Sequence, residues 1–272
     1  MPNRWGRASN EVDKASFAGL VVAVGGILAG LVLEGGKVAQ ILQPTAAIIV
    51  FGGTLGAVLL QFPLATVAAC ARSMATVFFG EGIDARAVID QLVQFADKAR
   101  REGIVALDSD LDGLEDDFTK ECLMLAVDGA ESRALRTLME PHLEMSEERD
   151  ELVVQVLESA GAFSPTVGII GAVLGLIQVM QHLGNIDEVG RGIAVAFVAT
   201  IYGVAVANLF LLPSAGKLKF RLRQQQLIRE MTLEAVVSML EGIHPRMLET
   251  KLLGFVLQTP HGGRTTQEET GA

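Results

Sequence analysis

Apolar residues in this chain gather into four runs, and the charged residues lie between and after them. From Ser159 to Ile186 there is no Asp, Glu, Lys or Arg, and from Gly192 to Gly216 there is none either. A short polar turn, Gly184–Gly190, divides these two runs. About 20 mostly apolar residues suffice for a helix to cross a bilayer, so the pair predicts two antiparallel spanning helices. Span one is predicted over roughly Phe17–Leu33 and span two over Pro44–Phe62, joined by a loop, Glu34–Gln43, that holds one Lys. No charge falls between Lys37 and Arg72, which lets span two extend beyond Pro63.

Local signals sharpen the picture. Ser164 suits a helix cap and Pro165 a first turn, where no N–H is needed, so span three is expected to start there. Gly168, Gly171 and Gly175 fall on one face, and small residues four apart let helices approach closely in lipid. Gly19, Gly25, Gly26 and Gly30 in span one, and Gly52 and Gly56 in span two, suggest the same use. Ala194, Ala205 and Ala207 keep span four slim; Thr200, Tyr202 and Asn208 are its few polar groups, and Pro213 falls at its far end.

The block 72–158 reads differently. Charge is dense, and apolar residues recur at helical spacing: Val88, Leu92 and Phe95, with Val93 and Ala96 beside them, then Leu152, Val156 and Leu157 leading into span three. Asp108, Asp110, Asp112, Glu115, Asp116 and Asp117 form an acidic run in its middle. A second helical stretch, 217 to about 257, opens with Lys217, Lys219, Arg221 and Arg223 and breaks at Gly242–Pro245. The tail from Thr259 is expected to be disordered. The fold class expected is therefore an all-α integral membrane protein: four transmembrane helices with a helical cytoplasmic domain. Its divisions are 1–16, 17–62 (spans one and two), 63–158, 159–216 (spans three and four), 217–258 and 259–272.

Charge then fixes orientation and trims the possible functions. Arg4, Arg7 and Lys14, the segment after span two and the run after span four are basic, while the two short loops hold Lys37 and Arg191. The positive-inside rule places both termini and the large block in the cytoplasm. A net charge of −10 argues against nucleic-acid binding. Cys70 and Cys122 are expected as free thiols, and no cleavable signal peptide is evident. His142, His244 and His261 read as surface residues without metal-ligand spacing; no cofactor is implied. No phosphate loop, nucleophile–base pair or metal cluster marks an enzyme.

No Asp, Glu, Lys or Arg lies inside any of the four runs, and His182 sits at the outer end of span three. A proton carrier acting alone normally needs such a group within the membrane. Either the chain is a structural scaffold, or it walls a path whose titrating group belongs to a partner helix. Thr200 and Tyr202 could line such a path; the plainer reading is helix contact with hydroxyls bonded back to their own helix.

The pattern Pro165-x-x-Gly168-x-Ile170-Gly171-x-x-x-Gly175-Leu176, followed by Ala199-Thr200-Ile201-Tyr202-Gly203, Asn208 and Leu212-Pro213-x-Ala215-x-Lys217-Leu218, resembles the flagellar motor stator A subunit, the MotA/PomA family. So do Ala99-Arg100-Arg101-x-Gly103-x-x-Ala106-Leu107-Asp108 and Gly242-x-His244-Pro245-Arg246. The resemblance covers almost the whole chain in order. It implies a ring of A subunits, expected to be a pentamer, around a dimer of a single-span B subunit (MotB/PomB-like) that supplies the membrane aspartate. Ion flow turns the ring, and the cytoplasmic domain pushes on the rotor protein FliG. The implied location is the bacterial inner membrane.

Residue roles follow by position. Pro165 and Pro213 match the two family prolines tied to conformational change, against a plain reading as a helix start and a helix end. Thr200 matches the threonine beside the ion path. Ala172 stands where sodium-driven members carry a threonine; a methyl supplies no oxygen ligand for a hard cation, which implies coupling to protons. Arg100 matches the arginine that faces FliG, Arg101 is a helper, and Asp108 stands where the family usually has Glu. His244 replaces the usual Asn before Pro245. The nearest rival, the ExbB/TolQ branch, has three spans and an outward N-terminus; a passive scaffold and a membrane-tethered enzyme are the others.

Overall fold

The computed structural model describes residues 13–78, 84–114 and 116–257. Arg4, Arg7, Glu115, His261 and the tail from Thr259 lie outside the described residues. In chain order the helices are α1 (Lys14–Leu33), α2 (Pro44–Gln61), α3 (Leu64–Phe78), α4 (Ala85–Glu102), the short α5 (Asp108–Leu111), α6 (Asp117–Val127), α7 (Ser132–Gln181), α8 (Ile186–Val206), α9 (Leu212–Leu240) and α10 (Pro245–Leu257). Tight 3-10 turns cover Val38–Ile41 and Ile104–Leu107, and a π turn, Ala207–Leu211, joins α8 to α9. No strand occurs among the described residues. Among the described residues four helical stretches are long and apolar enough to cross a membrane: Ala15–Leu33, Pro44–Gln61, Ser132–Gln181 and Ile186–Leu240. The chain is an all-α integral membrane protein.

Short polar side chains start these helices. Asp13 accepts from Ser16 N at the head of α1, Asp84 from Arg86 N and Ala87 N at α4, Asp116 from Thr119 N at α6, and Asn185 from Asp187 N at α8. Each satisfies N–H groups that have no partner within the helix. Gly103 (φ +88°) and Gly242 (φ +74°) end α4 and α9 in a left-handed conformation open to glycine at little cost. The Gly242–Pro245 break is thus where the sequence put it. Span two does not run past Pro63: Phe62 is held extended ahead of the proline (φ −120°, ψ 146°), and α3 starts afresh at Leu64.

Two sequence expectations fail in an instructive way. Ser164 and Pro165 do not start a helix; they lie inside α7, a continuous helix of 50 residues. Pro213 does not end one; it is the second residue of α9, in a helical stretch running from Ile186 to Leu240. An interior proline loses one hydrogen bond and collides with the carbonyl four residues back. For Pro213 that residue is Leu209, inside the π turn, where the widened ladder makes room. Asn208 adds its side-chain amide to the Val204 carbonyl at 2.9 Å just there. For Pro165 it is Gly161.

Residues fall into two compact units. The membrane unit comprises described residues 13–78 and 149–220, so α3 and residues 149–158 group with the spans. Its inner seam is built from small residues. A methyl added at Gly175 would stand 2.7 Å from Gly192 O, one at Gly168 2.9 Å from Ala199 O, and one at Gly203 2.6 Å from Ser164 O. Backbones of α7 and α8 therefore touch directly. On α8 the buried positions are Gly192, Ala196, Val198, Ala199 and Gly203, not the Ala194 and Ala205 singled out by composition. On α2 the close approach falls at Gly53, where a methyl would meet Val167 at 2.7 Å; Gly52 and Gly56 have nothing within 4 Å. Ala46 and Val50 of α2 pack on Val198 and Ala199 of α8.

The extramembrane unit, described residues 84–114, 116–148 and 221–257, has two apolar clusters. Leu107, Cys122, Leu123, Leu135, Met139 and Val236 anchor one; Val88, Ile89, Leu92, Met231, Leu248 and Leu252 anchor the other. Phe95 and Met239 touch both. A polar network ties α7, α9 and α10 within this unit: Arg136 reaches Glu234 at 2.6 Å, and Lys251 pairs with Glu234 and with Ser238. Of the second amphipathic set, in the membrane unit, Val156 and Leu157 are buried, but Leu152 is 44% exposed; its neighbours Val153 and Val154 point inward instead.

Candidate functional site

The membrane seam carries the predicted pathway residues. Thr200 is half-buried on α8, and its hydroxyl donates to Ala196 O at 3.2 Å, one turn back. Its Cα lies 3.5 Å from where a Gly168 methyl would stand. Thr200 thus lies on the α7–α8 seam. Ala172, also half-buried, stands one helical turn from Gly168 on α7. Tyr202 is differently employed. Its hydroxyl donates to Ile41 O at 2.6 Å and accepts from Gln43 N at 3.3 Å, and its ring lies 6.2 Å from that of Phe51. The phenol is consumed in holding the head of α2, a use that side-chain spacing could not reveal.

Pro165 borders this seam, and the neighbour of Pro213, Leu212, reaches α7. The Pro165 Cα sits 3.2 Å from the place a Gly203 methyl would take. Gly161, whose carbonyl faces the missing Pro165 N–H, is covered by Leu212, the residue before Pro213; a methyl there would stand 2.6 Å from Leu212 Cδ2. The irregular turns of α7 and α9 therefore meet through Gly161 and Leu212. Ser164 is 1% exposed, and its Oγ has no hydrogen-bond partner. No Asp, Glu, Lys or Arg lies in 15–33, 44–61, 159–181 or 192–212. The groups on this seam offer carbonyls and hydroxyls but no proton carrier of their own.

A second set of predicted residues surrounds the Gly103 turn in the extramembrane unit. Lys98 bonds Asp110 at 2.6 Å and Ser109 at 3.1 Å, and the Ser109 hydroxyl donates to Ala106 O at 3.1 Å. This tie fixes α5 against α4, and the sequence pattern alone did not flag it. Arg101 pairs with Asp97 one turn back at 2.7 Å. Arg100 and Asp108 are exposed, and neither side chain makes an ion pair or hydrogen bond among the described residues. One cation and one anion are thus held on a braced turn and left available. Among the described residues no group of three His, Cys, Asp or Glu is placed to hold a metal.

Known proteins place this arrangement. The family described as the MotA/TolQ/ExbB proton channel family matches residues 110–231, and the motility protein A N-terminal family matches 17–103. Motility protein A of Bacillus subtilis is 34% identical over 250 residues, covering 90% of this chain and 91% of that protein. Motility protein A of Helicobacter pylori is 33% identical over 247 residues, covering 90% and 95%. The solved structure of C. jejuni MotAB superposes with a TM-score of 0.86 at 31% identity, over 94% of this chain and all of that one. The flagellar MotAB stator complex of Bacillus subtilis gives 0.80 at 34% identity, over 89% and 95%. With four apolar helices, a glycine-built seam and no intramembrane acid of its own, the chain belongs to the MotA/TolQ/ExbB proton channel family, on its motility protein A branch.

Proposed function

We propose that this chain is the A-type stator subunit of a bacterial flagellar motor. With a B subunit it forms a proton channel in the inner membrane, and ion flow through that channel drives rotation. The observation that carries the reading is the seam itself: helices packed to backbone contact, with no titrating group, which leaves Thr200 and Ala172 as the pathway residues we propose. A channel built this way needs an acid from another polypeptide, and the similar solved structures are complexes of MotA with MotB. Several copies, in our reading five, surround the B-subunit dimer. Both termini and the extramembrane unit face the cytoplasm, with the divisions given above.

Arg100 and Asp108, with Arg101 beside them, contact the rotor protein FliG. Exposed ion pairs of this kind contribute under about 1 kcal/mol each, which suits contacts made and broken at every step. Pro165 and Pro213 couple ion passage to helix movement through the Gly161–Leu212 contact. Ala172 offers no oxygen to a sodium ion, so the coupling ion is the proton. Tyr202 serves the pathway by holding α2 in place rather than by facing the ion.

Expression of this chain with its B subunit in a stator-deleted cell tests the reading. Swimming is expected to return, to follow the proton gradient and to persist when sodium is removed. Arg100→Glu is expected to abolish swimming while the complex still forms. Loss of swimming on sodium removal would overturn the proton assignment, and ion passage by this chain alone in liposomes would overturn the whole reading.

A further inference from the structure

Helix α1 is the least embedded element of the membrane unit. No residue of its apolar window is buried, and Gly19, Gly25, Gly26 and Gly30 meet no atom within 4 Å where a methyl would stand. Its neighbours within the chain include α3, the Val38–Ile41 turn and the π turn. Apolar contact this thin does little to fix a helix in lipid, because acyl chains are as good company for Val and Leu as another helix is.

A polar tie supplies what packing does not. Lys217 Nζ donates to Asp13 Oδ2 and to Ser16 Oγ. Asp13 Oδ1 meanwhile accepts from Ser16 N at 3.1 Å and caps α1. One carboxylate thus finishes the helix and holds the ammonium. Only 27% of the Lys217 side chain and 20% of that of Asp13 are exposed, so the pair is less screened by salt than an open surface pair. Lys217 stands one turn after Pro213 on α9, and α1 also packs on the π turn that ends two residues before Pro213.

We propose that Asp13, Ser16 and Lys217 form a clamp that ties span one to the segment around Pro213, so that α1 is positioned by that segment and follows it. Lys217 is then a positioning residue. Its consequence for torque rests on the stator reading; the clamp itself rests on the hydrogen bonds and the thin packing of α1.

The test compares variants of the A–B complex in lipid nanodiscs by hydrogen exchange, and the same variants in cells by swimming speed. Lys217→Met keeps the stem and removes the ammonium. Asp13→Asn keeps an oxygen for the cap and removes the charge. Each is expected to speed amide exchange in 14–20 at least ten-fold and to lower swimming speed, with α4 and α10 unchanged. Lys217→Arg is expected to preserve both readouts. Unchanged exchange in Lys217→Met overturns the clamp; faster exchange with full swimming speed overturns its positioning role. If the unmodified pair restores no swimming, the stator reading fails while the exchange comparison still decides the clamp.

Discussion

In the membrane unit the backbones of α7 and α8 meet at residues with almost no side chain, Gly168, Gly175, Gly192 and Gly203. In the extramembrane unit the helices meet through clusters of Leu, Ile, Met and Val, with ion pairs such as Arg136–Glu234 beside them. The contrast follows from solvent. In water, burying a large apolar side chain is itself favourable, so that unit collects bulk. In lipid there is no such gain, and helices associate through close packing that only small residues allow. The two units solve the same problem with opposite residue sizes.

The largest effect expected from this contrast comes from adding one methyl. Gly175→Ala would set a carbon 2.7 Å from Gly192 O and 2.9 Å from Ala196 N, both backbone atoms that cannot swing aside. The helices must part, at about 1–3 kcal/mol or more, and swimming is expected to be lost. Gly52→Ala meets nothing within 4 Å in the chain and is expected to leave the yield of folded protein unchanged. Equal yield and swimming for the two variants would break the comparison.

A smaller effect is expected in the extramembrane unit from Glu234→Gln. Burial pushes the Glu234 carboxyl up, but hydrogen bonds from Lys251 and Arg136 outweigh it and hold the group below its ordinary value of 4.5. The unfolded chain therefore takes up this proton first as pH falls. The stabilisation is fully present above the ordinary value and fades as pH falls toward the folded one. The variant is expected to lose about 1.5–3 kcal/mol, the worth of hydrogen bonds to a charged group, in unfolding experiments at neutral pH. Its stability is also expected to fall less steeply than that of the parent below about pH 4.5.

The smallest effect concerns Cys122. Its side chain is fully buried, and burial, with Glu121 and Asp116 adding to it, pushes the thiol up to about 12. Alkylation proceeds through the thiolate, so mass spectrometry at pH 8 should show Cys122 unmodified in the folded complex and modified in denaturant. Rapid labelling under native conditions would show that this cluster opens.

Much of the fold was legible because lipid imposes a length and an apolar content that show directly in the sequence. The spans and their number followed from that, and the Gly242 break from a glycine and a proline three residues apart. The glycine face of α7 was legible too, because three glycines at helical spacing leave few other uses. What stayed hidden depended on partners far away in sequence. Gly53 matters and Gly52 does not because Val167 stands opposite one and not the other. Pro165 and Pro213 look like helix ends, since a local rule cannot know that Gly161 and the π turn accommodate them. The polarity of Tyr202 allows a place on an ion path, but its partners Ile41 and Gln43, about 160 positions away, could not be read from spacing. Arg100 and Asp108 were legible as charges, but the Lys98–Asp110 brace that leaves them available was not.

The π turn has a consequence for the residues that follow it in the membrane unit. A turn that bonds five residues back holds one residue more than its α-helical counterpart, and one residue corresponds to about 100° of azimuth. From Leu212 to Phe220 the stretch is therefore out of phase with the helical wheel that fits Ile186–Val206. Deleting a single residue among Ala207–Leu211 would let the turn close to the α pitch and leave Lys217 and Leu218 on their present bearing, whereas forcing the full-length stretch to an even pitch would swing them by about 100°. The irregularity works as a dial setting, and the direction in which residues 212–220 face is read from it.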